Sequence, residues 1–193
     1  PLIEHALDAL LAHPAIDGAV VALAEGDARW PGWTQLHGKP IIACIGGGER
    51  ADSVMAALRA LPVDVAHEEL LLVHDAARPN LRADDITKLI DAARACADGA
   101  ILAAPVRDTL KRAGTDARIE ATESRNGLWR ALTPQAFNRD VLCWALANAE
   151  VDGIVVTDEA MAVERIGLRP VLVEGREDNL KVTTPADLAL AEF

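Results

Sequence analysis

Short, nearly uninterrupted apolar runs alternate along this chain with stretches of helical periodicity, and that alternation restricts the fold more than any other feature. Strands are expected at Gly18 to Ala24, at "IIACI" (Ile41 to Ile45), "ELLLVHD" (Glu69 to Asp75), "GAILAAPV" (Gly99 to Val106) and "RPVLVEG" (Arg169 to Gly175). Between them lie helical patterns. Ile3, Leu7, Leu10 and Leu11 share one face, and Arg50 to Leu61 carries Val54, Leu58 and Leu61 inward after the "GGG" turn at Gly46 to Gly48. Asp84 or Asp85 can cap a helix through Ala97, and another helix is predicted over Asn138 to Ala149. Thr157 is expected to cap a further helix with Asp158 and Glu159 in its first turn, and Thr184 with Pro185 to open a last one, Ala186 to Phe193. Such alternation calls for a mostly parallel sheet with helices on both faces, an α/β class, because crossover helices cover each side of parallel strands.

The pattern breaks from Arg107 to Leu132, where "RDTLKRA", "RIEATES" and "LWRAL" are polar, short and separated by Gly114 and Gly127. These pieces read as an insertion or arm rather than core strands. A chain of 193 residues fits a single domain. Its apolar runs fall short of the roughly 20 residues that cross a bilayer, so no membrane association is expected. The net charge of -11 argues against broad nucleic-acid binding, and any anionic ligand must meet a local basic cluster. Cys44, Cys96 and Cys143 lack metal or disulfide spacing and read as small buried hydrophobes in a reducing cytoplasm. The scattered Trp30, Trp33, Trp129 and Trp144 read as packing residues. Nothing at the first residues resembles a signal peptide, and the chain is expected to begin in mid-domain.

Ligands of open parallel sheets bind beyond the carboxyl ends of the strands. Asp75, Gly46 to Gly48, Arg107 with Asp108, and Gly175 to Lys181 all follow apolar runs there. Asp75 suits Mg²⁺, which takes one or two carboxylates plus phosphate oxygens, and suits equally a cap for the following turn. His74 reads as its packed or hydrogen-bonded neighbour. The glycines allow backbone approach to a phosphate or base, or serve a purely steric turn. Asp178, Asn179 and Lys181 form either a phosphate and metal site or a solvated turn, and Thr122, Arg125, Arg130 and Arg139 read by default as a solvated face.

"GGGERADSV", "VHDAARP", "APVRDTLK", "RNGLWRALTPQAF", "TDEA" and "VEGREDNLKVTTPADLALAE" occur in this order over nearly the whole chain. Together they resemble the 2-C-methyl-D-erythritol 4-phosphate cytidylyltransferases of the non-mevalonate isoprenoid pathway, and their relatives acting on ribitol 5-phosphate. The resemblance implies a Rossmann-like nucleotidyltransferase fold, a homodimer interlocked by the arm at residues 107–132, and Mg²⁺-dependent transfer of CMP from CTP to a sugar-alcohol phosphate. It implies catalytic roles for Asp75 and Lys181, with Mg²⁺ on Asp75; Asp178, from its place beside Lys181, is the second candidate metal ligand. Gly47, Asp52 and Ser53 would lie in the cytidine pocket, and Arg78, Thr122, Arg139 and Thr157 at the substrate, with Thr122 and Arg139 reaching the other subunit's site. The family also opens with a strand and a Gly-rich loop bearing an Arg and a Lys, for which no counterpart precedes Pro1. A nucleotide-binding homologue without catalysis is the alternative of another class.

Overall fold

The computed structural model describes residues 1–192. In chain order its elements are α1 (Leu2–Leu11), β1 (Ala19–Leu23), β2 (Gln35–Leu36), β3 (Lys39–Ile45), α2 (Arg50–Arg59) and β4 (Leu70–Val73). There follow α3 (Ala83–Ala95), β5 (Ala100–Pro105), β6 (Leu110–Ala113), β7 (Ile119–Glu123), β8 (Trp129–Asn138), α4 (Arg139–Val151), α5 (Glu159–Arg165), β9 (Val171–Glu174) and α6 (Pro185–Glu192). The last expected helix ended on Phe193, which lies outside the described residues.

The strands form a three-stranded sheet in the order β1-β3-β2, a four-stranded sheet in the order β4-β8-β5-β9, and the separate β6-β7 hairpin. The chain is α/β, but its sheets are mixed. β1 with β3 and β5 with β9 pair in parallel, whereas β8 runs antiparallel to both neighbours, β4 and β5. β8 also corrects the reading of "LWRAL" as part of a noncore arm. Its N-terminal end is exposed, but Leu132 to Phe137 are buried at the centre of the sheet.

Pro134 is unusual inside a central strand, since proline cannot donate to a ladder. The pairing accommodates it. β8 leaves β4 at the Val73–Gln135 pair, and the register against β5 shifts between Ile101, opposite Gln135, and Ala103, opposite Ala131. Leu132, Thr133 and Pro134 therefore fall in a bulge, a device that re-aims side chains beside a site.

Alternation along β4 and β5 divides the core into two layers. Leu70, Leu72, Ala100, Leu102 and Ala104 pack toward α3, with Leu10 of α1 at the margin. Leu71, Val73 and Ile101 pack with Phe137 toward α2, α4 and α5. Helices thus cover both faces, as the apolar runs require. The apolar run of β4 is only half-buried because β4 is an edge strand. A cavity of about 900 Å³, lined by β1, α1, α2 and β4, separates its edge from that of β1 and reaches Arg50, Ser53, Asp75 and Lys181.

Several local details depart from the pattern. The N-cap of α3 is Arg82, not an aspartate, while Asp85 is fully buried, paired with Lys88 at 2.6 Å and accepting the Arg176 N–H at 3.1 Å. Asp158 caps α5, one residue after Thr157. Thr184 does open α6, its hydroxyl accepting the Asp187 N–H at 3.3 Å. The cysteines are free but only partly buried. Trp30 and Trp33 meet edge to face at 5.3 Å, whereas Trp144 is exposed.

Gly99 enters β5 at φ +88°, and a Cβ there would lie 2.3 Å from Phe137 Cδ1. Gly153 has φ +65° with open space around it. Gly99→Ala should cost roughly 2–5 kcal/mol, combining left-handed strain with overpacking, against about 1 kcal/mol for Gly153→Ala. Urea unfolding of the two variants measures the difference.

Candidate active site

Three loops converge on Asp75. The turn after β4 carries Asp75 and Arg78, the turn after β3 leads into Arg50 at the start of α2, and the loop after β9 delivers Lys181. Arg50 Nε donates to Asp75 Oδ1 at 3.2 Å, while Oδ2 receives Lys181 Nζ at 3.2 Å and Arg78 Nε at 3.4 Å. Three cations thus surround one carboxylate that is 13% exposed. Burial pushes the Asp75 carboxyl up, but the charges of Arg50 and Lys181 outweigh it and hold the group below the ordinary carboxylate value. In a chain of net charge -11, this is a local excess of positive charge that can receive an anion.

The surrounding hydrogen bonds keep the turn in place. The Asp75 N–H donates to Thr133 Oγ1 at 3.0 Å, and this hydroxyl lies 2.9 Å from His74 Nδ1. His74 Nε2 faces the Arg78 carbonyl at 3.0 Å. A carbonyl can only accept, so the partners assign the proton to Nε2, leaving Nδ1 to accept from Thr133. Burial lowers the His74 pKa to about 4, so the ring is neutral and structural, as its place beside Asp75 indicated.

The Lys181 loop is latched to the same turn. Arg78 donates to the Asn179 carbonyl at 2.8 Å, Val182 N–H donates to the Ala77 carbonyl at 2.8 Å, and the buried Asn179 amide donates to the Thr133 carbonyl at 2.8 Å.

The glycine turn has a steric cause. A Cβ on Gly47 would come within 2.2 Å of Asp52 Cβ, and one on Gly46 within 2.7 Å of Ser53 Oγ. Asp52 accepts the Glu49 N–H at 3.0 Å in a capping box, and Ser53 Oγ accepts the Gly47 N–H at 3.1 Å. Gly47, Asp52 and Ser53 therefore form one compact loop–helix junction, with Arg50 on the same first turn.

The sequence model of the family described as 2-C-methyl-D-erythritol 4-phosphate cytidylyltransferase matches residues 1–193. A protein of that name from Xanthomonas campestris pv. campestris (strain 8004) is 60% identical over 193 residues, all of this chain and 73% of the relative. Its counterpart from Stenotrophomonas maltophilia (strain R551-3) is 61% identical over 192 residues, covering 83% of the relative. The chain belongs to the 2-C-methyl-D-erythritol 4-phosphate cytidylyltransferase family. Solved structures agree: a 4-diphosphocytidyl-2C-methyl-D-erythritol synthase superposes with a TM-score of 0.84 at 38% identity, over 98% of this chain and 87% of that one. The Francisella tularensis cytidylyltransferase gives 0.85 at 29% identity, over 99% and 86%.

The fold brings some of the residues implied by the family resemblance together and leaves others apart. Asp75, Arg78 and Lys181 meet directly. Asp178 is instead occupied by Arg176, whose Nη2 lies 2.7 Å from Oδ2. Thr122 lies on the β6-β7 hairpin, its hydroxyl accepting from Lys111 at 2.7 Å. Arg139 donates to the Val65 carbonyl, and its N–H to the Glu69 carbonyl at 2.9 Å. Thr157 is exposed at the entry to α5. Arg107 pairs with Glu177 rather than with Asp75.

Arg50, Thr133 and Glu159 are contributors that reading the sequence missed, while Asn179, read there beside Lys181, serves as a buried latch to Thr133. Arg50 stood in "GGGERADSV" and Glu159 in "TDEA", yet only spatial contact distinguishes them from ordinary helix-start residues.

The His74 shift carries a sign. Its folded pKa lies below the unfolded value of 6.5, so the unfolded state takes up the proton first on acidification. Stability is fully present above pH 6.5 and falls as the pH drops toward about 4, by up to roughly 3 kcal/mol. In His74→Gln, the loss in that window should shrink, as measured by urea unfolding across pH 4 to 7.

Proposed function

We propose that this chain transfers CMP from CTP to 2-C-methyl-D-erythritol 4-phosphate, releasing pyrophosphate and forming 4-diphosphocytidyl-2-C-methyl-D-erythritol. One observation carries the reading: Asp75 held among Arg50, Arg78 and Lys181 at the converging strand ends, in a chain of this family. A phosphate oxygen of the sugar alcohol attacks the α-phosphorus of CTP, a new P–O bond forms, and the bond to the pyrophosphate oxygen breaks. Two anions must approach, so positioning and positive charge supply most of the catalysis.

Within the residues present, that charge comes from Lys181 and Arg78. Both are oriented by Asp75, and Lys181 is 45% exposed, free enough to turn toward phosphate oxygens. The junction of Gly47, Asp52 and Ser53 is assigned to the cytidine, and Thr157 to the methylerythritol phosphate.

Mg²⁺ fits this donor set in a limited way. No cluster of three or more His, Cys, Asp or Glu side chains occurs among the described residues, which suits an ion held by one carboxylate and the nucleotide phosphates. Asp75 would hold it, and when bound it would neutralise phosphate charge. Asp178 pairs with Arg176 and Asp75 with three cations, so either carboxylate would have to yield a cation to take the ion.

The chain is read as one nucleotidyltransferase domain with the β6-β7 hairpin as a dimerisation arm. Among the described residues the hairpin strands pair only with each other, and Ile119 is 67% exposed on the hairpin. Through that arm, Thr122 is assigned to the methylerythritol phosphate of the other subunit's site, and so is Arg139. No helix among the described residues is long and apolar enough to cross a membrane. Three free cysteines support a reducing cytoplasm.

Pyrophosphate release from CTP should occur with 2-C-methyl-D-erythritol 4-phosphate and far more slowly with ribitol 5-phosphate; the reverse order would overturn the substrate assignment. Asp75→Asn should lower kcat by at least about 100-fold with the fold intact, and near-parental turnover at saturating Mg²⁺ would remove the metal role. Arg139→Ala should chiefly raise the KM for the sugar phosphate. Mixed dimers of Arg139→Ala and Asp75→Asn should regain activity if Arg139 serves the other subunit's site; absence of recovery argues that it acts within its own chain.

A further inference from the structure

Glu159 is a buried carboxylate beside the site, 1% exposed, on a helix whose N-cap is Asp158. Its Oε1 accepts from Arg50 Nη1, and among the described residues its Oε2 has no hydrogen-bond partner. Burying a carboxylate costs several kcal/mol that a pair only partly returns, and an apolar side chain of similar volume usually serves a core as well. The position of Glu159 is nevertheless tightly fixed. Gln135, itself 1% exposed on β8, grips both neighbours: its Nε2 donates to Asp158 Oδ2 at 2.9 Å, and its Oε1 accepts the Ala160 N–H at 2.8 Å. Asp158 is further held by the Met161 N–H at 2.9 Å. The backbone around Glu159 is therefore pinned to the central strand, and its carboxylate is aimed at one guanidinium.

That guanidinium is bivalent. Arg50 gives Nη1 to Glu159 and Nε to Asp75 Oδ1 at 3.2 Å, so the planar fork connects the two carboxylates. With Arg50 fixed on Oδ1, the other oxygen of Asp75 is left to Lys181 and Arg78. Arg50 also begins α2, two residues before Asp52, so the same contact sets the nucleotide-side helix against the Asp75 turn.

We propose that Glu159 is a positioning residue for the transfer reaction, acting through Arg50 to fix the rotation of the Asp75 carboxylate and to neutralise the Arg50 charge. The charge offered to the reacting phosphates is then that of Lys181 and Arg78, in one orientation. This rests on the reading of Asp75 as the centre of the cytidylyltransferase site.

The test uses Glu159→Gln, which keeps the shape and removes the charge, with Glu159→Asp and Arg50→Lys beside it. Side-chain ¹⁵N NMR of the ligand-free protein should show an Arg50 Nε–H signal protected from solvent exchange, with protection lost in Glu159→Gln. In steady-state assays with CTP and 2-C-methyl-D-erythritol 4-phosphate, kcat should fall by about 10- to 100-fold in Glu159→Gln, while the KM for the sugar phosphate stays within about twofold. Glu159→Asp should recover part of the loss. In an Arg50→Met background, Glu159→Gln should have no further effect on kcat.

An unchanged Arg50 signal, a kcat within about threefold of the parent in folded Glu159→Gln, or an equal loss in the Arg50→Met background overturns the proposal. If Glu159→Gln fails to fold, Arg50→Lys decides instead, because Arg50 is 31% exposed and Lys cannot bridge both carboxylates. The same kcat loss is then expected, and parental kcat overturns the proposal. A parent protein that shows the protected signal but releases no pyrophosphate contradicts the functional reading, not the Arg50 clamp.

Discussion

Strand β8 is the element on which the rest of the structure depends, because a central strand must satisfy its buried backbone and polar groups on both sides. Its ladder with β4 and β5 joins two strands that would otherwise lie apart. Its bulge turns Thr133 toward the backbone of Asp75, while its polar interior residue Gln135 holds the start of α5. The Thr133 carbonyl also accepts from Asn179, tying the Lys181 loop to the same place. A single strand therefore sets the positions of the Asp75 turn, the Glu159 helix and the Lys181 loop relative to one another.

This arrangement reconciles an acidic protein with anionic ligands. Thirty carboxylates against nineteen basic residues would repel a triphosphate at long range, yet three of those basic side chains converge on one carboxylate. At short range inside a partly desolvated site, that local excess outweighs distant charges screened by solvent and salt. Asp75 also keeps the three cations from repelling one another, so the cluster can be assembled before any ligand arrives. Such preorganisation is what phosphoryl transfer chiefly demands of a protein.

Much of the candidate site was legible along the chain. The runs ending at Ile45, Val73 and Glu174 placed the Gly46 to Gly48 turn, Asp75 and Lys181 beyond strand ends, where parallel strands direct their ligands. Asp178 was drawn into the metal set because it lies near Lys181 in sequence, but its carboxylate faces Arg176 two residues away. Local pairing of that kind is invisible to motif position. Glu159 looked like a first-turn carboxylate favoured by the helix dipole, and only its burial against Arg50 distinguishes it from one.

By itself the sequence determined the alternation of strands and helices, the two covered faces and the family, since apolar periodicity and ordered motifs are local properties of the chain. Tertiary structure alone decided that β8 lies between β4 and β5, that the sheets are mixed, and which cations reach Asp75. The physical reason is the same in each case. Strand order and ion pairing join residues far apart in the chain, such as Arg50 with Glu159 or Asp75 with Lys181, and those partners are selected by packing rather than by local pattern.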